Sequence, residues 1–217
     1  MLEPLRRGDT VTDAAAGTDL LVIATPDDVI AKVAGAVRPV ESTLVAHLSG
    51  SLPLEVLSPH PRRASLHPLA SLPDADTGAR TLLDGCAVAI AGDPQIERVA
   101  TDLGARAFEV PDDRRALYHA TAVVAANHVV ALLGQVERLA AACEVPVDGF
   151  LEMAGRVVVN AREVGAAAAL TGPAARGDVA TIRRHVEALP PQELTLYRAL
   201  ASEAAATAGA DLEPAWP

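Results

Sequence analysis

Several residue types are scarce in this chain, and each scarcity argues against a class of protein. Aromatic residues make up only 2% of the 217 residues, and Lys32 is the only lysine. The net charge is −10, and no basic cluster is long enough to follow a phosphate backbone, so nucleic acid is not expected as a partner. Cys86 and Cys143 are isolated, so the sequence predicts neither a disulfide framework nor a metal site.

Characteristic sequence patterns are missing as well. The N-terminus has no apolar signal core and no run of about 18 uninterrupted apolar residues occurs, which predicts a cytoplasmic protein without a membrane partner. No Gly-x-x-x-x-Gly-Lys-Ser/Thr occurs either, which argues against a small-molecule kinase or nucleotide hydrolase.

What the chain does contain is apolar material arranged in a regular alternation. Half of the residues are hydrophobic, which is enough to build a core. Short apolar runs alternate with helical segments of about ten residues, a pattern typical of βαβ units and a parallel sheet. Five strands are predicted, at residues 19–24, 43–48, 64–66, 85–91 and 105–110. The polar stretches 58–63 and 71–80 lack periodicity and are predicted to be surface loops.

The pattern changes after Pro111. A single long helix is predicted for residues 112–143, because this stretch has no proline and one glycine. Further helices are predicted at 146–164, 178–189 and 191–208, and no strand is expected there. The sequence therefore predicts an α/β domain at residues 1–111 followed by an all-helical domain at residues 112–217.

Small or polar residues follow the predicted strands, where ligands bind in open α/β sheets. They are Thr25-Pro26-Asp27 after the first strand, Ser49-Gly50-Ser51 after the second, and His67-Pro68 after the third. Each cluster can equally be an ordinary turn or helix cap. His67 is the strongest candidate, because a His-Pro between a strand and a loop is an awkward turn but a good hydrogen-bond donor to a ligand.

Two further clusters lie in the helical half. His119 and Asn127 are eight residues apart, within about 80° of one another on an α-helix. Their surroundings are apolar, so each is either a hydrogen-bonded core residue or a catalytic one. The loop 171–178 contains Thr171 and Arg176; the guanidinium either recognises a carboxylate or phosphate, or pairs with Asp178 within the loop.

Four motifs taken together resemble one family. They are, in order, Val-Ala-His-Leu-Ser-Gly-Ser at 45–51, Ala-Ser-Leu-His-Pro-Leu at 64–69, Leu-Tyr-His-Ala with Ala-Asn-His at 117–128, and Leu-Thr-Gly-Pro-Ala-Ala-Arg-Gly-Asp at 170–178. The chain resembles Rossmann-like proteins with a C-terminal helical domain of unknown function (DUF 2520). That family looks like a distant relative of pyrroline-5-carboxylate reductases, ketopantoate reductases and prephenate dehydrogenases.

The resemblance implies hydride transfer with NADP or NAD, a small carboxylate-containing substrate, and a homodimer formed through the helical domain. The roles it implies divide into cofactor contacts (Thr25, Pro26, Asp27, Ser49 and Gly50), catalytic residues (His67, His119 and Asn127) and substrate contacts (Arg176 and Thr171). Relatives use a lysine paired with an asparagine on the long helix, but Lys32 lies in the other domain. Proton transfer would then fall to His119 or His67, whose ordinary pKa of about 6.5 suits the task.

The start of the chain departs from the family pattern. A strand, a Gly-x-Gly-x-x-Gly turn and a helix are expected before Asp19, but only 18 residues stand there and the sequence contains no such glycine pattern. We therefore expect a Rossmann-like sheet that lacks its first βα unit, with residues 19–24 at an apolar sheet edge and weak dinucleotide binding. The alternative function is a shortened, non-catalytic homologue that serves as a small-molecule-binding or dimerisation module.

Overall fold

The fold is taken from a computed structural model, which describes residues 4–6, 8–72 and 74–212. The chain forms two compact units, Met1–Val129 and Val130–Pro217, and each is described by itself. The division between the units falls inside the long helix. The predicted domain boundary at residue 111 stays a prediction.

The first unit contains a five-stranded sheet whose strands lie in sequence order. The strands are β1 (Leu20–Ile23), β2 (Leu44–His47), β3 (Arg62–Pro68), β4 (Ala87–Gly92) and β5 (Arg106–Glu109). The pairs β1–β2, β2–β3 and β4–β5 are parallel. All five predicted strands are present, the α/β class is confirmed, and β1 forms one edge of the sheet among the described residues.

Three details predicted for this part of the chain are wrong. β3 runs from Arg62 to Pro68, so it includes the end of the predicted loop 58–63, and His67 and Pro68 lie in the strand and not after it. The pair β3–β4 is antiparallel, with Pro68 opposite Val88 and Ala64 opposite Gly92. The stretch 71–80 is not simply a loop, because helix α2 covers Ala75–Leu83 and is capped by Asp74, whose side chain accepts a hydrogen bond from the Thr77 N–H. The connection through α2 returns the chain to the sheet at the end where β3 finished, so β4 runs back along β3.

Helices cover both faces of the sheet. Helix α1 (Asp27–Ala36) places Ile30 and Ala34 against Val45 of β2. Helix α3 (Gln95–Asp102) places Ile96 and Ala100 in a second cluster with Leu44 and Ala46. Alternate residues of β2 therefore pack on opposite faces, as a buried central strand requires.

The predicted long helix is present as a continuous helical run over residues 112–142. It comprises a 3₁₀ turn, α4 (Arg115–Val123), a π-helical turn (Val124–His128) and α5 (Val129–Ala142). By length and composition it could cross a membrane: an 18-residue window has a mean hydropathy of 1.5, and none of that window is buried. The expected absence of a membrane partner stays a prediction.

Every regular element in the described part of the second unit is helical. It contains α6 (Asp148–Val164), the short α7 (Ala166–Ala169), α8 (Val179–Ala188) and α9 (Leu194–Ala208). As predicted, no strand occurs between residues 112 and 212. A small core joins Ile182 of α8 to Ala201 and Ala205 of α9.

Candidate functional site

The loop after β2 is a tight turn closed by the Ser49 hydroxyl. Ser49 Oγ accepts hydrogen bonds from the backbone N–H groups of Ser51 (3.2 Å) and Leu52 (3.1 Å) and donates to Asp27 Oδ2 (2.7 Å). Ser51 Oγ donates to the same carboxylate oxygen at 2.9 Å. Asp27, in the first turn of α1, therefore ties this loop to the end of β1. The side chains of Ser49 and Asp27 are engaged with each other, so the loop offers a ligand mainly its backbone.

Gly50 lies directly against two of the predicted catalytic side chains. A Cβ atom at Gly50 would stand 2.8 Å from His67 Nε2 and 2.8 Å from His119 Cδ2. The two imidazoles meet edge to face with their centroids 5.9 Å apart. The structure therefore brings Gly50, His67 and His119 together from three separate segments, the loop after β2, the end of β3, and α4.

His67 is held by a phenol. Its Nδ1 lies 2.7 Å from Tyr118 Oη, and both side chains are half-buried. Burial lowers the pKa of His67, and the neighbouring His119 and Arg115 lower it further, against an opposing effect of Asp27. Burial also raises the pKa of Tyr118. The pair is therefore a neutral imidazole and a neutral phenol, with the imidazole Nε2 directed toward Gly50.

Beneath this pair lies Arg115, which is 1% exposed. Its Nη1 donates to Ser65 Oγ and its Nη2 donates to the Ser49 carbonyl oxygen, both at 2.7 Å. His47, at the end of β2, is fully buried, and neither of its ring nitrogens reaches a partner with hydrogen-bond geometry. Burial, followed by the charge of Arg115, lowers the pKa of His47 to about 4, although Asp27, Asp112 and the Pro53 backbone act in the opposite direction.

Thr25 and Pro26 lie at the end of β1. Pro26 is the N-cap of α1, and no side-chain hydrogen bond caps this helix, so Thr25 does not serve as a helix cap. Thr25 Oγ1 is buried and has no hydrogen-bond partner. Buried polar groups are normally paired. This unpaired hydroxyl is therefore available to form a hydrogen bond with a bound ligand.

Asn127 lies on the π-helical turn, and its side chain is exposed. The argument that a buried polar group needs a partner therefore does not apply to it. A π turn winds through fewer degrees per residue than an α-helix, so Asn127 lies closer in angle to His119 than regular α-helical geometry predicts. Such turns are common at functional sites, but the catalytic role of Asn127 stays a prediction.

Thr171 and Arg176 belong to the second unit, and both are exposed. Asp178 caps α8, as predicted, by accepting hydrogen bonds from Thr181 N (3.0 Å) and Thr181 Oγ1 (2.8 Å). No ion pair joins Arg176 to Asp178 in the described chain, so the guanidinium is not held by the capping carboxylate. Their convergence with the two imidazoles stays a prediction.

Sequence reasoning missed three side chains of this cluster. They are Tyr118, Arg115 and His47, none of which was assigned a role. His47 carried a signal, because an imidazole inside a buried strand is unusual. Arg115 carried none, since it follows Arg114 at a helix start, where an exposed charge is the ordinary interpretation. Within the described ranges, no group of three or more His, Cys, Asp and Glu side chains could hold a metal ion.

Comparison with known proteins places the chain in a family. The model of a domain of unknown function, DUF2520, matches residues 86–204, more than half of the chain. None of the curated proteins compared with the chain matches it.

Solved structures share the fold. A Thermotoga maritima protein is 26% identical with a TM-score of 0.72, over 87% of this chain and 77% of that one. A Bacteroides fragilis protein described as a candidate NADP oxidoreductase is 20% identical with a TM-score of 0.71, over 90% and 79%. A Plasmodium falciparum pyrroline carboxylate reductase with NADP bound is 10% identical with a TM-score of 0.55, over 95% and 82%. The Rossmann-like architecture is thereby confirmed.

Proposed function

Because this chain belongs to the DUF2520 family, whose model covers more than half of it, we propose that it is an NAD(P)-dependent oxidoreductase. The observation that carries the proposal is the meeting of Gly50, His67 and His119 at the carboxyl ends of β2 and β3. In open α/β sheets, ligands bind beyond the carboxyl ends of the strands. The folds of the NADP-linked neighbours support the same assignment.

The residues at the ends of β1 and β2 fit a nicotinamide nucleotide. Thr25 offers an unpaired buried hydroxyl, and Gly50 has no side chain, which allows its backbone to lie against the two imidazoles. We assign the cofactor contacts to Thr25, Pro26, Asp27, Ser49 and Gly50, with Ser49 acting through its backbone. When bound, the nicotinamide supplies a hydride to the carbon of a polarised C=O or C=N bond.

The residues of this chain supply the matching proton. His67 is neutral and Tyr118 fixes its Nδ1, so its Nε2 points toward the space beside Gly50. Nε2–H can donate a hydrogen bond to the carbonyl oxygen or imine nitrogen and thereby polarise the bond. His119, in contact with the same space, gives that atom its proton as negative charge develops there. We assign Asn127 to the same catalytic set.

The substrate is proposed to be a small carboxylate, recognised by Arg176 and Thr171. Arg176 is exposed and is not ion-paired with Asp178, which leaves its guanidinium able to take a carboxylate in a bidentate way. This assignment follows the family resemblance. The proposed enzyme is cytoplasmic.

A homodimer through the helical unit belongs to the same proposal. Helix α6 has 17 residues and none of them is buried. Phe150, Met153, Val157 and Val164 lie on one side of it and are 41%, 58%, 50% and 59% exposed. Exposed apolar stripes of this size mark interaction surfaces, and a second copy of the chain would cover this one.

A turnover assay tests the proposal. Small 2-oxo acids and cyclic imino acids are offered with NADPH, NADH or reduced nicotinamide mononucleotide, and oxidation of the nicotinamide is followed by absorbance. We expect turnover with at least one acceptor, and a loss of about 10²- to 10⁴-fold in His119→Ala. His128→Ala, which removes an exposed imidazole from the same helix, is the matched control.

Two outcomes would contradict the proposal. One is the absence of hydride transfer to every acceptor by a folded protein. The other is a loss of stability in His119→Ala that accounts for the whole loss of turnover, which would make His119 a packing residue. The first outcome favours the alternative of a non-catalytic binding module.

A further inference from the structure

Arg115 is a buried charge that the reaction outlined above does not use. Its side chain is 1% exposed at the start of α4, and its Nε has no hydrogen-bond partner. Among the described residues, no carboxylate forms an ion pair with it. Burying an unpaired guanidinium is costly, and a buried charge is normally paired or replaced by apolar residues of similar volume. A function that needs this charge and its geometry would explain why it is there.

The two hydrogen bonds of Arg115 join three segments that build the site. Nη1 binds Ser65 Oγ on β3, two residues before His67, and Nη2 binds the carbonyl oxygen of Ser49 in the loop after β2. Arg115 itself lies on α4, four residues before His119. The guanidinium is planar and its donors have fixed directions, so it sets the distance between these two partners.

The carbonyl that Arg115 holds belongs to the Ser49–Gly50 peptide. Its amide side is the Gly50 N–H, and the loop's own hydrogen bonds are made by the amides of Ser51 and Leu52. A charged donor on the carbonyl polarises the peptide and strengthens its N–H as a donor, because hydrogen bonds in a low dielectric reinforce one another. The same bond prevents the loop from moving away from the imidazoles.

We propose that Arg115 is a positioning residue that clamps the Ser49–Gly50 peptide to β3 and so holds the Gly50 backbone against the two imidazoles. The clamp is a property of the fold, and only its consequence for turnover rests on the proposed function. The reacting C=O or C=N group would bind beside this contact, within reach of His67 Nε2.

The charge of Arg115 also acts on the imidazoles. The charged and titratable groups around His67 are Tyr118, His119 and Arg115 on α4 and Asp27 on α1. After burial and His119, Arg115 is the next cause that lowers the pKa of His67. The clamp therefore also favours the neutral imidazole, which can donate through Nε2–H without placing a second cation in the site.

Nuclear magnetic resonance of the whole chain tests the clamp without any substrate. We expect nuclear Overhauser contacts between the Gly50 Hα protons and the ring protons of His67 and His119. These contacts should be lost in Arg115→Met, together with a rise in the pKa of His67. In Arg115→Lys the charge remains but one ammonium cannot hold both partners, so the contacts should weaken while the titration of His67 changes little. Arg114→Met, which removes an exposed charge one residue away, should change neither.

Ser65→Ala keeps the test decisive if Arg115→Met fails to fold. It removes one anchor of the guanidinium and little volume, and should weaken the same contacts. Where turnover is detected, kcat should fall by about 10²-fold in the Arg115 variants and KM should change less. A displacement of the catalytic groups by about 1 Å has an effect of this size. Unchanged contacts in both Arg115→Lys and Ser65→Ala would overturn the clamp, whether or not the chain shows oxidoreductase activity.

Discussion

Tyr118 offers a sharp test of the site because the chain contains a second copy of its interaction. Tyr118 Oη lies 2.7 Å from His67 Nδ1, and Tyr197 Oη lies 2.7 Å from His185 Nδ1 in the second unit. Tyr118→Phe should lower turnover about tenfold, because a hydrogen bond contributes about 1–1.5 kcal/mol. Tyr197→Phe should cost similar stability and leave turnover unchanged. Equal effects of both variants on turnover would show that the phenol at His67 only supports the fold.

His47 makes the stability of the protein depend on pH. Burial lowers its pKa from about 6.5 to about 4. Between these values the unfolded chain binds a proton that the folded chain does not. The free energy of unfolding is therefore unaffected by His47 above pH 6.5 and falls as the pH drops toward 4. The loss reaches about 3 kcal/mol at most.

Denaturant unfolding at several pH values measures this effect. In His47→Asn the free energy of unfolding should depend less on pH between 6.5 and 4. In His128→Asn, which removes an exposed imidazole, the dependence should persist. An identical slope in His47→Asn would assign the pH dependence to other groups.

Single residues differed in how well they could be predicted. His67 was singled out because it was expected to follow a strand. The structure places it within the last two residues of β3 and brings it together with His119 at Gly50. Arg115 and Tyr118 were missed, because the contacts that define them join residues 50 or more positions apart. A one-dimensional pattern carries no information on such pairs until the strand order is known.

The loop after β2 is open to a steric test. In Gly50→Ala the new Cβ would lie 2.8 Å from His67 Nε2 and from His119 Cδ2, so the imidazoles must move. Overpacking of this kind costs about 1–3 kcal/mol of folding stability. Turnover should fall by more than this loss of stability explains. Gly35→Ala in α1 is the control, because nothing lies within 4 Å of its added Cβ. Normal turnover in Gly50→Ala would show that the close contact between Gly50 and the imidazoles is not needed for the reaction.

Helices and strands were predictable where local pattern decides them. The five strands and the long helix follow from apolar runs and from the lack of proline. The antiparallel β3–β4 pair was not predictable, because strand direction depends on where α2 ends in space. Helix α2 itself left a signal in Asp74, whose carboxylate accepts from Thr77 three residues later, but the surrounding polar residues obscured it. The π turn at 124–128 has no sequence signature.

The exposed stripe on α6 leads to a prediction about assembly. Val157→Glu places a charge in the stripe of Phe150, Met153, Val157 and Val164 and should convert a dimer into monomers, as measured by light scattering during size-exclusion chromatography. Arg162→Glu changes a charge about 140° around the same helix and should leave the mass unchanged. A monomeric parent protein would contradict the dimer, and association of the parent with lipid vesicles would point to a membrane instead.

The central claim is that the nicotinamide and the substrate meet at Gly50, His67 and His119. The most direct measurement is a titration with reduced nicotinamide mononucleotide, followed by backbone and imidazole resonances. This ligand carries the reacting ring and lacks the adenosine half, so its binding depends on the loops after β1 and β2. The claim predicts saturable shifts at Thr25, Gly50, Ser51, His67 and His119, and none at His185. Saturable binding that leaves these residues unshifted would contradict it.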